Sequence, residues 1–559
     1  MYLPSQHVKM KIVIDNISDG EIVSYPILLI RGKIDNVDRL SLDEESNGSI
    51  NSKHQIFLTH TSVHHGRNKE YLHSIPVCYV SETSAKFKLL LQLKTGINHI
   101  SLEYFRVRRN LAIKYDPFSY DLQRHRIKLL YIVCSDSDGN FQSPGESGSD
   151  LKTQKQIENE QEKKTNDIAS AKKRISLAGS VIQSIIAESL EVHGFGRKTI
   201  HFFNEERNNV RTKIDEDEAH PVTYIFKSKL STQEVFAMNQ RQLWEYHAKE
   251  IVSSESNTSS AENQKLKYLA IHSATRFFNP SGTIPKDHAE VLSLTKGHVS
   301  IGGGGLALLG SGCLYTWPEN LSEVLPRFSD VTEIDSIGYM DDSAYRKTIG
   351  GCYATTLGSL IHELGHTFDL GHSANGFMAR GFDDIDRFFT LSNKVSKSEN
   401  PSKSTASLMC CISSCINKIG SSPFHYPALP SHVKIKGTNY LEEYQQKQYY
   451  RKMMIEFGNA FWDKSSAIIL SAHPWLNASA AASGNQISYL SDLRHVQSTN
   501  TDFLLLEMRD KSGNILDFVD LSGQGSQFID LNPYIDQLGD KFHTFLCICC
   551  DGELLKSKI

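Results

Sequence analysis

Residues 362–372 read HELGHTFDLGH, with histidines at i, i+4 and i+10 and a glutamate directly after the first. On a helix, His362 and His366 lie one turn apart on one face, so both imidazoles reach a single ion. Glu363 projects from the neighbouring side of that turn, where it can act on a metal-bound water without being a ligand. His372 is too far along to share the helical face, so the backbone must turn after about Phe368. Gly371 helps that turn, and Asp369 belongs to the few non-glycine types that tolerate a left-handed backbone. Three ring nitrogens with an open fourth position form the set that catalytic zinc uses, as opposed to structural zinc. The expected cofactor is one catalytic Zn2+ held by His362, His366 and His372, with Glu363 as general base in amide hydrolysis.

Two elements must position this set. Residues 351–370 put Leu357, Leu360, Ile361, Leu364 and Phe368 on one broad apolar face, the pattern of an amphipathic helix. Upstream, Gly302-Gly303-Gly304-Gly305 lacks the Gly-Lys-Ser/Thr of a phosphate loop. Leu306, Leu308 and Leu309 follow it, then Cys313, Tyr315 and Trp317, which predicts a strand or a pair of short strands before the helix. No residue beyond the metal is identifiable as an oxyanion stabiliser; Arg380 and Tyr353 are near in sequence, but spacing assigns neither to the cleft.

The histidine spacing resembles the metzincin pattern HExxHxxGxxH, with Asp369 where that clan has glycine. The run Gly376-Phe377-Met378 looks like the metzincin Met-turn, although an ordinary core methionine fits Met378 equally well. The strings HSANGFMARGFDDIDRFF (372–389) and IGGGGLALLGSGCLYTWP (301–318) resemble a eukaryotic metallopeptidase family related to the metzincins, over roughly residues 1–475. That resemblance implies a peptidase without naming its substrate. It also implies an edge strand that pairs its backbone with an extended peptide, making Gly303, Gly304 and Gly305 candidates for close substrate approach. A plain turn feeding a core strand fits the same glycines as well. The Asp369 carboxylate can cap the turn, bond a ligand histidine or approach the metal; the turn and support of the ligands are preferred.

At 559 residues the chain exceeds one core, and roughly three or four units are expected. Hydrophobic content of 39% and charged content of 22% fit a globular protein, and a net charge of −4 argues against nucleic acid as a partner. The first residues carry no recognisable secretory signal, no apolar run is seen to approach the roughly 20 residues of a membrane span, and a cytoplasmic location is expected. The ten cysteines, among them Cys410, Cys411 and Cys415 and then Cys547, Cys549 and Cys550, read as reduced core or incidental thiols.

The expected architecture is multidomain α+β. Residues 1–135 form an immunoglobulin-like β-sandwich of short alternating runs that ends with IKLLYIV at 127–133. Its histidines His54, His60, His64 and His65 read as a solvated loop. Residues 136–158 are a polar linker. Residues 159–475 form the zinc metallopeptidase unit, a metzincin-like mixed sheet plus helices. Its first helix carries a stripe at Ile175, Ala178, Ile182, Ile185 and Ser189, with Lys173 and Arg174 on a solvated face. Serine-rich runs at 253–264 and 392–422 read as loops, and residues 476–559 as a small C-terminal β-rich unit. The leading expectation is a zinc metalloendopeptidase acting on peptide or protein. An inactive metal-binding scaffold or a non-peptidase zinc hydrolase are the alternatives.

Overall fold

The computed structural model describes residues 9–37, 55–117, 125–144, 166–204, 220–255, 265–391, 456–477 and 484–559, apart from a few single positions, with scattered residues between 448 and 454. Residues 145–158 of the expected linker, the runs 256–264 and 392–422, and Cys410, Cys411 and Cys415 lie outside the described residues.

Alternating apolar residues in the N-terminal part build two sheets. Strands Lys11–Ile14, Ile27–Asp35, Ser84–Gln92 and Cys78–Ser81 form one, all antiparallel. The other holds five strands in the order Ile22–Val23, Val107–Tyr115, Gly96–Tyr104, Gln55–His64, Arg67–Pro76. Leu28, Ile30 and Leu89 from the first share a buried core with Leu58, Leu102 and Ile113 from the second. His60 departs from the solvated-loop reading: it lies within Gln55–His64, is 2% exposed, and bonds the Asn98 side chain at 2.9 Å.

The run at 127–133, expected with those strands, instead sits in a central sheet as part of His125–Val133. That sheet runs Thr223–Lys227, His125–Val133, Lys265–His272, Leu306–Gly310, Ser300–Gly303. The first four are parallel and the last is antiparallel, so Ser300–Gly303 is an edge strand. Leu129, Tyr131 and Val133 face one core while Leu130 and Ile132 face another. A strand apolar on both faces belongs inside a covered parallel sheet, and the length of its apolar run is the signal. Residues 136–144, expected as linker, pack closely: Phe141 is 1% exposed and its carbonyl accepts from the Asn166 amide at 2.6 Å.

Helix Ile168–Val192, capped by Asp167, packs between the central sheet and the N-terminal strand Ile27–Asp35 and buries all five residues of the expected stripe. By length and composition it could cross a membrane, a feature the sequence reading missed, yet 83% of its apolar window is buried in the protein. Arg174 is not solvated: it is 3% exposed, pairs with Glu319 at 3.0 Å and donates to the Trp317 carbonyl.

The histidine motif lies on helix Ile349–Thr367, capped by the Thr348 side chain on the Gly351 N–H. It is buried on nearly every side, not one, with every residue from Gly350 to Thr367 except His366 inside. Leu357, Leu360, Ile361 and Leu364, each worth about 1.5–3 kcal/mol of burial, seat it in the largest core. Beyond it, helix Lys464–Ala472 joins the same core, and a C-terminal pair of sheets follows. One holds Ile487–Leu490, His495–Ser498 and Phe528–Asp530; the other Ile515–Asp520, Phe503–Arg509, Thr544–Cys549 and Leu554–Lys558. Cys547 and Cys549 are fully buried there, and Cys550 is exposed.

Candidate metal centre

The motif helix ends where the spacing required. Phe368 is its C-cap, and Asp369 follows with φ of 62°, the left-handed residue that reverses the chain. This brings His372 back beside the helix. Side-chain nitrogens of His362, His366 and His372 all lie within 4.8 Å of one another. Ring centroids are 4.7 Å apart for His362 and His366, 4.6 Å for His366 and His372, and 5.4 Å for His362 and His372.

Hydrogen bonding fixes the ring tautomers. His362 Nδ1 faces the Phe377 carbonyl at 2.8 Å, and His366 Nδ1 faces the Leu370 carbonyl at 3.0 Å. A carbonyl only accepts, so each Nδ1 carries the proton and each Nε2 presents a lone pair. The two Nε2 atoms are 3.1 Å apart. Facing lone pairs repel unless a cation lies between them. Two nitrogens each about 2.0–2.1 Å from a tetrahedral zinc stand roughly 3.3 Å apart, so this donor set fits that ion. Burial pushes the His362 pKa down to about 3, with His372 adding to the effect, and drives His366 well below its ordinary value. Burial and then Arg509 lower His372 as well. Each shift favours the neutral ring, the form a metal ligand takes.

Glu363 is 9% exposed and points to the edge strand. Its Oε1 accepts from Ser300 Oγ at 3.1 Å, and the Gly302 N–H bonds its carboxylate as well. Burial raises its pKa to about 7, against the pull of both donors. Gly302 lies so close to the helix that a Cβ there would sit 1.9 Å from the Glu363 carbonyl oxygen. Ser300 and Gly302 escaped the sequence reading, although the glycine run itself was the available signal. Gly303 ends the edge strand, while Gly304 and Gly305 form the turn into Leu306–Gly310, with Gly304 at φ +52°.

Met378 is 1% exposed, and its sulfur occupies the space left by the missing side chain of Gly365, beside His366. The Asp369 carboxylate turns outward to Lys556 at 3.2 Å and is 44% exposed. It therefore makes the turn, and among the described residues its carboxylate pairs with Lys556. Tyr353 is buried against Phe328, and Arg380 pairs with Asp383 at 2.9 Å.

The profile of a group of proteins described as "Putative peptidase family" matches residues 11–452. The chain belongs to that family. Relatives of this family member include a Saccharomyces cerevisiae protein named "Putative zinc metalloproteinase", 24% identical over 335 residues, which cover 56% of this chain and 43% of that one. A Schizosaccharomyces pombe protein with the same descriptive name is 24% identical over 395 residues, 68% of this chain and 54% of its own. The chain thus spans about half the length of these curated relatives. A solved structure of catalytically inactive OgpA from Akkermansia muciniphila, in complex with an O-glycopeptide substrate, covers 78% of this chain and 92% of its own. With 11% identity and a TM-score of 0.37, that likeness is too loose to bear on this chain.

Proposed function

We propose that this protein is a zinc-dependent metalloendopeptidase, with His362, His366 and His372 as the ligands of one ion and Glu363 as the general base. The observation that carries the reading is the pair of unprotonated Nε2 atoms 3.1 Å apart, with His372 beside them and a buried carboxylate on the same helix. A bound zinc would act as a Lewis acid there, lowering the pKa of a coordinated water from about 15.7 toward about 7.

The chain's own residues supply the rest. Glu363 takes the proton of the attacking water on its carboxylate and returns it to the leaving nitrogen. Ser300 and Gly302 hold that carboxylate in place. The edge strand Ser300–Gly303 borders the site, with its Ser300 and Gly302 N–H groups taken by Gln240 and Glu363, and Gly303 keeps side-chain bulk away from a peptide laid beside it. Met378 gives the ligand-bearing helix an apolar floor, in the manner of the metzincins. In the same reading, residues from 159 to about 475 form the catalytic unit, the N-terminal sheets an immunoglobulin-like sandwich, and residues 476–559 a third unit.

The test is a diverse peptide library incubated with zinc-loaded protein, with and without chelator. Chelator-sensitive cleavage inside peptides supports the proposal, and Glu363→Gln should abolish it while keeping zinc. Cleavage by Glu363→Gln at the wild-type rate would refute the role given to the carboxylate.

A further inference from the structure

The loop that carries the third histidine is held from outside the motif. The His372 N–H donates to the Gly513 carbonyl at 3.0 Å, and the Ile515 N–H donates to the His372 carbonyl at 2.8 Å. His372 is thereby bridged to Asn514, at the start of a strand in the C-terminal sheets. The turn that receives it is itself fixed. The Asp510 carboxylate accepts from the Ser512 and Asn514 N–H groups and from the Asn514 amide.

A second tether reaches the same loop. Arg509 is 3% exposed, and its Nη2 donates to the Asp369 carbonyl at 2.6 Å. Its guanidinium is anchored to Glu507 at 2.5 Å, and Glu507, fully buried, also accepts from Ser465 Oγ at 2.6 Å. Gly371 lies against this guanidinium, where a Cβ would come 2.7 Å from Nε. Every one of these partners lies beyond residue 452, where the family match ends.

We infer that the C-terminal β unit is part of the metal centre, and that Arg509, oriented by Glu507, is a positioning residue for His372. The inference rests on the three-histidine metal reading above. Both peptide groups of His372 and the carbonyl of Asp369 are bonded by this unit, so the ring is aimed before any ion arrives. Ordering the loop is then done by folding and is not subtracted from metal binding. Outer partners of this kind are worth about 10–100-fold in metal affinity. The exposed Lys556–Asp369 pair reaches the same loop but is solvent-screened and should matter little.

The experiment uses the full chain. Glu507→Gln with Arg509→Met removes the guanidinium without leaving a buried carboxylate unpaired. Arg509→Lys keeps the charge but lacks the fork that serves Glu507 and the Asp369 carbonyl together, and Lys556→Met is the control. Zinc affinity is read by competition with a chromophoric chelator, ligand geometry by the visible absorption of the Co2+-loaded protein, and folding by thermal unfolding. The expected result is zinc binding weaker by about 10–100-fold in the double variant. Arg509→Lys should lose several-fold, both should show altered Co2+ bands, and Lys556→Met should match wild type. A folded double variant or Arg509→Lys with wild-type affinity and wild-type bands would overturn the inference. Wild-type protein that takes up neither ion would remove the three-histidine reading, and this inference with it.

Discussion

Gly302→Ala is the sharpest perturbation of the proposed site. The new Cβ would lie 1.9 Å from the Glu363 carbonyl oxygen, 2.5 Å from its carbonyl carbon and 2.7 Å from its Cα. Carbon and oxygen ordinarily approach to about 3.3 Å, so roughly 1.4 Å must be found. Backbone lies on both sides, and no flexible side chain can yield. The edge strand must therefore lift from the helix, drawing Ser300 and the Gly302 N–H away from the Glu363 carboxylate. Overpacking of this kind costs about 3 kcal/mol or more, lowering the unfolding midpoint of a unit of this size by roughly 4–5 °C. A displacement near 1 Å at a reacting group costs about 100-fold in rate. Gly303→Ala is the matched control: its Cβ would meet only Trp244 at 3.9 Å, so stability should stay within about 0.5 kcal/mol. Differential scanning fluorimetry and a chelator-sensitive peptide assay read both variants. Gly302→Ala with the midpoint of Gly303→Ala, and with the wild-type rate, would refute the close packing of edge strand on helix.

Three further outcomes are expected. His366→Ala should bind far less zinc than wild type in metal analysis of purified protein; equal occupancy would exclude His366 as a ligand. Arg174→Ala leaves the Trp317 carbonyl without that donor and Glu319 with Ser170 and Lys173, and should destabilise the protein by about 1–3 kcal/mol, so an unchanged denaturation midpoint would contradict the burial of Arg174. Lys88 is buried, donates to the Arg387 carbonyl at 2.7 Å, and has its pKa pushed down by burial to about 7. The unfolded chain then binds more protons than the folded one between about pH 7 and 10, so stability should rise across that window. Lys88→Met should flatten that rise, and an equal rise in both proteins would assign it to other groups.

Local chemistry was legible in the sequence because it is written at short range. The i, i+4 spacing of His362 and His366, the need for a reversal after Phe368, and the tolerance of Asp369 for positive φ all follow from the helical period and backbone sterics. The structure realises each of them. The glycine run with the leucines after it predicted a strand or a pair of short strands upstream of the helix, and Ser300–Gly303 with Leu306–Gly310 is such a pair. What the sequence could not rank was long-range burial. Arg174 reads as a surface charge until Glu319 and Trp317 come to meet it, and the strand at 125–133 pairs in sheet order with segments about 90 and 140 residues downstream. Gly302, hidden inside a run of identical neighbours, differs from Gly303 only because a helix some 60 residues later lies against one and not the other. The third histidine shows the division most plainly. Its distance from the other two is set by the chain between them, whereas its aim depends on Arg509 and Gly513, brought there by the folding of sheets more than 130 residues away.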